Sequence, residues 1–197
     1  MSGFNNYVGK TYVIEGNDQL EACRNVLQAK TVVGIDFEWN MDLRPGENNP
    51  VALIQIATAV DGVFLFRPKQ GRFSDAAIEV LRSQRISKVC VGHASGDKRK
   101  LADMGITIPP ETLIDMVQHA KNRGLDNPGF VGICASVGYK LRKSKDQLGG
   151  NWNQLRLSSE QIQYAANDAW FPLLVACLWG TLKADDEILS KMKSMVS

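Results

Sequence analysis

The stretch that most constrains this chain is residues 32–39, Val-Val-Gly-Ile-Asp-Phe-Glu-Trp. Val32, Val33 and Ile35 are β-branched and read as a strand buried on both faces. Asp36 and Glu38 interrupt that run two residues apart, and strand side chains alternate, so both point to one face of the sheet. Paired negative charge at the end of a buried strand is costly unless something positive compensates it, and a divalent cation with oxygen ligands does so. The competing interpretation is a strand emerging into solvent with two exposed acids. Further acids at the same place would decide between them.

The rest of the chain supplies a framework for that strand. Thr11–Ile14 suggests a short strand, and Asn17 or Asp18 can cap a helix running to about Lys30. After the acidic strand, residues 40–50 are dense in turn formers and read as a loop overhanging the two carboxylates. Val51–Thr58 and Val63–Phe66 form a hairpin around Asp61-Gly62, so the first three core strands are antiparallel neighbours. Ser74 caps a second helix, Lys88–Val91 is a fourth core strand, a third helix runs from about Asp97 to Met104, and Thr112–Ile114 is a fifth. Alternation of helix and strand adds the last two strands in parallel through right-handed crossovers. The expected fold is therefore α/β, a mixed five-stranded sheet flanked by helices, in a single domain over residues 1–197.

The last third reads as mostly helical. Asn127-Pro128 opens one segment, and Ser158 with Gln161 makes a capping box for a long final helix from about Ser159. Pro172 should kink that helix or end its first half, and the polar tail after Ala184 is expected to fray. Asp97 follows the fourth strand, where a parallel sheet presents its crevices, although a helix dipole alone favours an aspartate there. Tyr164 and Asp168 are four apart on one helix face, and Ala165, Ala166 and Asn167 between them are small enough for close approach to the sheet.

Four acids in this order, with the tyrosine, resemble the DEDD-type 3′→5′ exonucleases in their tyrosine variant. The likeness is nearest to the Werner-syndrome-type and ribonuclease D-like domains. It rests on Asp36-Phe-Glu-Trp39, on Val91-Gly92 with Gly96-Asp97 and Leu101, and on Asn151-Trp152 leading through Leu157-Ser158 and Gln161 to Tyr164-Ala-Ala and Asp168-Ala169. It spans roughly residues 30–180. The resemblance implies an RNase H-like (DnaQ-like exonuclease) fold and a metal-dependent nuclease. In it, Asp36, Glu38 and Asp168 would hold one magnesium ion, Asp36 a second, and Asp97 would act on the second through water. Tyr164 would orient the attacking water, and manganese should substitute for magnesium. The chain departs from the pattern at His93, where many relatives carry asparagine, and at Arg156-Leu157, where arginine-proline is common.

Substrate contacts are expected from Trp39, which could stack on a terminal base or anchor the loop, and from His93, which could meet a phosphate or cap its turn. The basic runs containing Lys98, Arg99 and Lys100 and then Lys140, Arg142, Lys143 and Lys145 could track phosphates or simply be solvated. A net charge of +2 permits a single-stranded nucleic-acid partner without demanding one. Cys23, Cys90, Cys134 and Cys177 are scattered without CxxC spacing and read as free core thiols. No apolar run reaches membrane-spanning length, and the protein is expected to be intracellular, in the cytoplasm or nucleus. Sheet edges leave room for a second copy or a protein partner. The alternative function is a nucleic-acid-binding module that keeps the exonuclease fold with weak catalysis.

Overall fold

The computed structural model describes residues 3–15, 17–142 and 150–197. Six strands form one sheet: β1 (Thr11–Ile14), β2 (Val32–Trp39), β3 (Val51–Ala57), β4 (Val63–Phe66), β5 (Ser87–Cys90) and β6 (Leu113–Asp115). Their order is β1-β4-β3-β2-β5-β6. The expected hairpin is present, with β2, β3 and β4 antiparallel neighbours, and β5 and β6 add in parallel beyond β2. The count of five is corrected to six, because Thr11–Ile14 pairs in parallel with β4 and closes the far edge. Both edges are short, which limits strand addition.

Helices cover both faces. α1 (Asn17–Gln28), α2 (Asp75–Arg82) and α3 (Asp97–Asp103) flank one side. There Val33, Ile35 and Phe37 of β2 pack with Ile54, Ile56, Leu27, Leu81 and Leu101. On the other side lie α4 (Met116–Asn122), α5 (Phe130–Ala135), α6 (Ser159–Leu178) and α7 (Asp186–Ser194). Leu53 and Ala57 meet Ala165, Ala166 and Ala169 of α6 there. Among the described residues, no helix is long and apolar enough to cross a membrane.

Several helix boundaries differ from expectation for local reasons. Ser74 precedes α2 with extended backbone but makes no capping bond. Asn127 accepts from the Gly129 amide at 3.2 Å, so α5 begins after that turn rather than at Pro128. The Ser158–Gln161 capping box is formed in both directions. α6 continues through Pro172 to Leu178, held by burial of Phe171, Leu173 and Leu174 on either side of it. The tail does not fray. Asp185 caps α7 through the Ile188 amide at 2.7 Å, and Met192 is fully buried.

The candidate metal centre

β2 and β5 pair only from Val32 to Gly34, so the second half of β2 runs beyond its parallel neighbour. Its side toward β5 is then open to the turn at 92–96. Gly34, Asp36 and Glu38 alternate with the buried Val33, Ile35 and Phe37, which places the three on the face that α6 covers. A Cβ on Gly34 would stand 2.0 Å from the Ala169 carbonyl oxygen. Only a hydrogen fits there, and that close approach brings the neighbouring Asp168 down onto Asp36. Carboxylate oxygens of Asp36, Glu38 and Asp168 all lie within 4.8 Å of one another.

Such a cluster is electrostatically unsatisfied. Burial first, and then repulsion from Glu38, Asp168 and Asp97, pushes the Asp36 carboxyl well above the usual carboxylate range. Glu38 is raised by burial, Asp168 and Asp97, against a long contact of 3.4 Å from the Gln55 side-chain amide. Three hard oxygens at this spacing suit a divalent ion, whose charge would offset that cost. The trio therefore fits the metal that the sequence implied.

Asp97 belongs to the first turn of α3 and lies outside the tight trio, near enough to repel Asp36 and Glu38. Burial raises its carboxyl too, and the neighbouring His93 offsets part of that. The His93 Nδ1 stands 3.6 Å from Asp97 Oδ2, too long for a hydrogen bond, and the ring is 6.4 Å from Phe37. The turn is fixed from behind, where Asp115 Oδ1 accepts from the Gly92 amide at 2.9 Å and from Val117 at 3.0 Å.

Tyr164 is half-buried beside Asp168 and hydrogen-bonds to it. Burial, then the charges of Asp168, Glu38 and Asp36, raises its phenol far above the ordinary value, so it keeps its proton. The fully buried Trp152 backs it at 6.1 Å between ring centres. Asn40, directly after Trp39, accepts from the Trp152 amide at 2.8 Å and ties the acidic strand to the entry of α6.

The expected substrate contacts divide. Lys100 is buried and corrects the notion of a continuous phosphate-tracking run. Its ammonium reaches both Asp42 oxygens at 2.8 and 3.0 Å, Asn48 Oδ1 at 2.9 Å and the Asn49 carbonyl at 2.7 Å. It also lies 5.6 Å over the Trp39 ring, which packs on Gly96. Trp39, half-buried, is thus an anchor under the 40–50 loop. Arg99 is exposed and leans to Asn48 and Asp42 at 3.3 and 3.4 Å, while Lys98 is exposed. Lys140 and Arg142 are exposed on the other side of the site, near Tyr164 in the case of Arg142. Lys143 and Lys145 lie outside the described residues. Asn167, expected to face the sheet, instead accepts from the Tyr7 amide at 2.9 Å and donates to Asn6.

Gly34, Asn40 and Asp115 escaped the sequence reading. A glycine inside a β-branched run is the signal for Gly34, since strands disfavour it unless another backbone comes close.

The sequence matches the 3'-5' exonuclease family over residues 12–178. It is 26% identical over 178 residues to the mouse bifunctional 3'-5' exonuclease/ATP-dependent helicase WRN, covering 84% of this chain and 13% of that protein. The chain spans less than half the length of the curated relatives it matches. Among solved structures, Escherichia coli RNase D superposes with a TM-score of 0.69 at 20% identity, covering 94% of this chain and 46% of that one. Brucella melitensis NrnC bound to pGG superposes at 0.67 with 18% identity, covering 94% and 86%. These likenesses show the RNase H-like fold.

Proposed function

The chain belongs to the 3'-5' exonuclease family, and on that premise we propose that it hydrolyses phosphodiester bonds from the 3′ end of single-stranded RNA or DNA, releasing nucleoside 5′-monophosphates. The observation that carries the reading is the meeting of Asp36, Glu38 and Asp168 within 4.8 Å, from β2 and α6. These three would hold one divalent cation, Asp36 would share a second, and Asp97 would reach the second through water. A pair of magnesium ions, or manganese in their place, supplies positive charge where the entering and leaving oxygens of the displacement become negative.

The remaining work falls to the chain. Tyr164 stays protonated and hydrogen-bonded to Asp168, which suits orienting a water rather than deprotonating it. Trp152 and the Asn40 clamp keep that phenol from swinging away. His93, 3.6 Å from Asp97, offsets part of the cost of burying that carboxylate, which favours a role beside Asp97 over direct contact with phosphate. The 40–50 loop, pinned by Lys100, forms a wall beside Trp39, and the exposed part of that half-buried ring is proposed to stack on a terminal base. Lys98, Arg99, Lys140, Arg142 and Lys143 are the cations proposed to meet the substrate backbone. Asp36 and Glu38 on β2, Asp97 on α3 and Tyr164 and Asp168 on α6 belong to one sheet and its helices, which supports reading 1–197 as a single exonuclease domain. Free cysteines fit a reducing compartment, cytoplasm or nucleus.

The test is a gel time course on matched end-labelled single-stranded RNA and DNA in magnesium, manganese or EDTA, with Asp36→Ala alongside. Stepwise shortening from the 3′ end, lost in EDTA and in the variant, is the expected result. Intact substrate under every metal condition, with oligonucleotide binding that tightens in magnesium, would replace the enzyme by a binding module.

A further inference from the structure

Beside Tyr164, the outer face of α6 forms one wall of a groove of about 470 Å³, lined by Phe4, Asn6, Arg142, Gln163, Tyr164 and Asn167. The space is within the usual range for small-ligand sites of about 300–1,000 Å³. Its N-terminal wall is held in place rather than draped. Asn5 exchanges hydrogen bonds with the Lys140 backbone, its amide donating at 2.7 Å and its side-chain oxygen accepting at 2.8 Å. Asn6 Oδ1 accepts from Asn167 at 3.1 Å, and Gln163 donates to the Tyr7 carbonyl at 2.8 Å. Phe4 is thereby stationed at the rim with 57% of its surface exposed. Arg142 is exposed and, among the described residues, makes no ion pair. Glu160 also lines the groove, but its carboxylate is engaged at the start of α6 by its own backbone and by the Ser158 and Ser159 hydroxyls.

An exposed aromatic ring, an unpaired guanidinium and side-chain amides around a nucleotide-sized space make a recognisable chemistry. A ring offers stacking to any base, and a guanidinium offers paired donors to phosphate. We propose that this groove binds one nucleotide of the substrate strand next to the scissile phosphate, with Phe4 stacking on its base and Arg142 holding its phosphate. The inference rests on the exonuclease reading and adds a subsite to it. It also assigns the N-terminal segment, which precedes the family match at residue 12, a part in substrate binding. Hydrolysis at the metal centre would thus favour strands long enough to fill the groove.

The experiment is equilibrium binding of a fluorescein-labelled single-stranded octanucleotide by anisotropy, in calcium, with the strand checked on a gel afterwards. Native chain, Phe4→Ala, Phe4→Trp and Arg142→Ala are compared across a salt series. Phe4→Ala and Arg142→Ala should each weaken binding by about five- to tenfold, and Phe4→Trp should restore it. Arg142→Ala should also lower the slope of log affinity against log salt by about one, whereas Phe4→Ala leaves that slope alone. Matching thermal midpoints establish that the variants are folded. Binding by both alanine variants within about twofold of native overturns the groove. So does a native chain that binds no octanucleotide. Hydrolysis is scored separately in magnesium. Shortening with unmoved affinities sinks the groove alone, and intact strands with lost affinities sink the exonuclease reading alone.

Discussion

Asp36 illustrates how a single side chain links stability to the cation. In the folded chain without metal, Asp36 and Glu38 retain their protons to higher pH than in the unfolded chain. From the ordinary carboxylate range upward the folded state therefore binds more protons, and its stability falls as pH rises toward the raised values. Melting in EDTA should consequently occur at a higher temperature near about pH 5 than near about pH 7.5, with magnesium narrowing the gap because it binds the ionised form. Asp36→Asn should flatten the slope in EDTA while abolishing hydrolysis, and a slope of the opposite sign would contradict the assignment. Gly34 makes the complementary point. A methyl group there meets the Ala169 carbonyl at 2.0 Å, so α6 must retreat. Gly34→Ala should cost about 1–3 kcal/mol and lower the thermal midpoint by several degrees. Manganese affinity measured by calorimetry should drop about tenfold or more if the trio is spread by even part of an ångström. Unchanged melting and unchanged affinity would mean the helix has slack. The acids were legible because charge at alternating positions of an apolar strand has few explanations. Gly34 was not, because a missing side chain acquires meaning only when the group above it is known.

Elements carry the second kind of information. The loop over residues 40–50 was recognisable from its turn formers, but its rigidity comes from Lys100 on α3, some fifty residues along the chain. A charge run in sequence gives no hint that its third member points inward, since that depends on how α3 lies against β2. Lys100→Met should leave the Asn49 carbonyl without its Lys100 donor and Asp42 with the Asn49 amide and Arg99 in place of the buried ammonium. Hydrogen exchange in 40–50 should accelerate, and the thermal midpoint should fall by about 2–6 °C. Protection in the loop equal to that of native protein would show that Arg99 and Asp42 suffice. The tail shows the same limit in reverse. Asp185, Asp186 and Glu187 at one end, with Lys191 and Lys193 at the other, follow the helix dipole. That pattern was present in the sequence, yet the overall polarity masked it, and Met192 in the core with Leu189, Met195 and Val196 packed beside it keeps α7 in place. Pro172 does not end α6 for a related reason, since the break that propensity favours is prevented by buried neighbours.

At the scale of the whole molecule, the two chain ends close around α6. Val8 donates to the Met195 carbonyl at 2.9 Å and Ser197 to the Asn6 carbonyl at 3.0 Å. Tyr7 is buried against Trp170, with ring centres 4.7 Å apart. Tyr7 also engages Gln163 and Asn167, whose neighbours in sequence are Tyr164 and Asp168. Removing residues 1–8 should therefore lower the melting temperature and weaken manganese binding together, although none of the described residues removed belongs to the acidic trio. A truncated chain that melts lower but binds manganese with native affinity would confine the strap to stability.

The metal centre joins β2 to α6 across most of the chain, with α2 to α5 lying between Glu38 and Asp168. During translation at about 5–20 residues per second, roughly six to twenty-six seconds pass between the emergence of the first acids and the last. Throughout that interval the nascent chain holds two carboxylates with no partner on α6 to complete them. A polypeptide that has not yet emerged as far as Asp168 thus holds an incomplete trio. Termination anywhere before Asp168 leaves a fragment in the same state, so the fold withholds its cation site until α6 has been made.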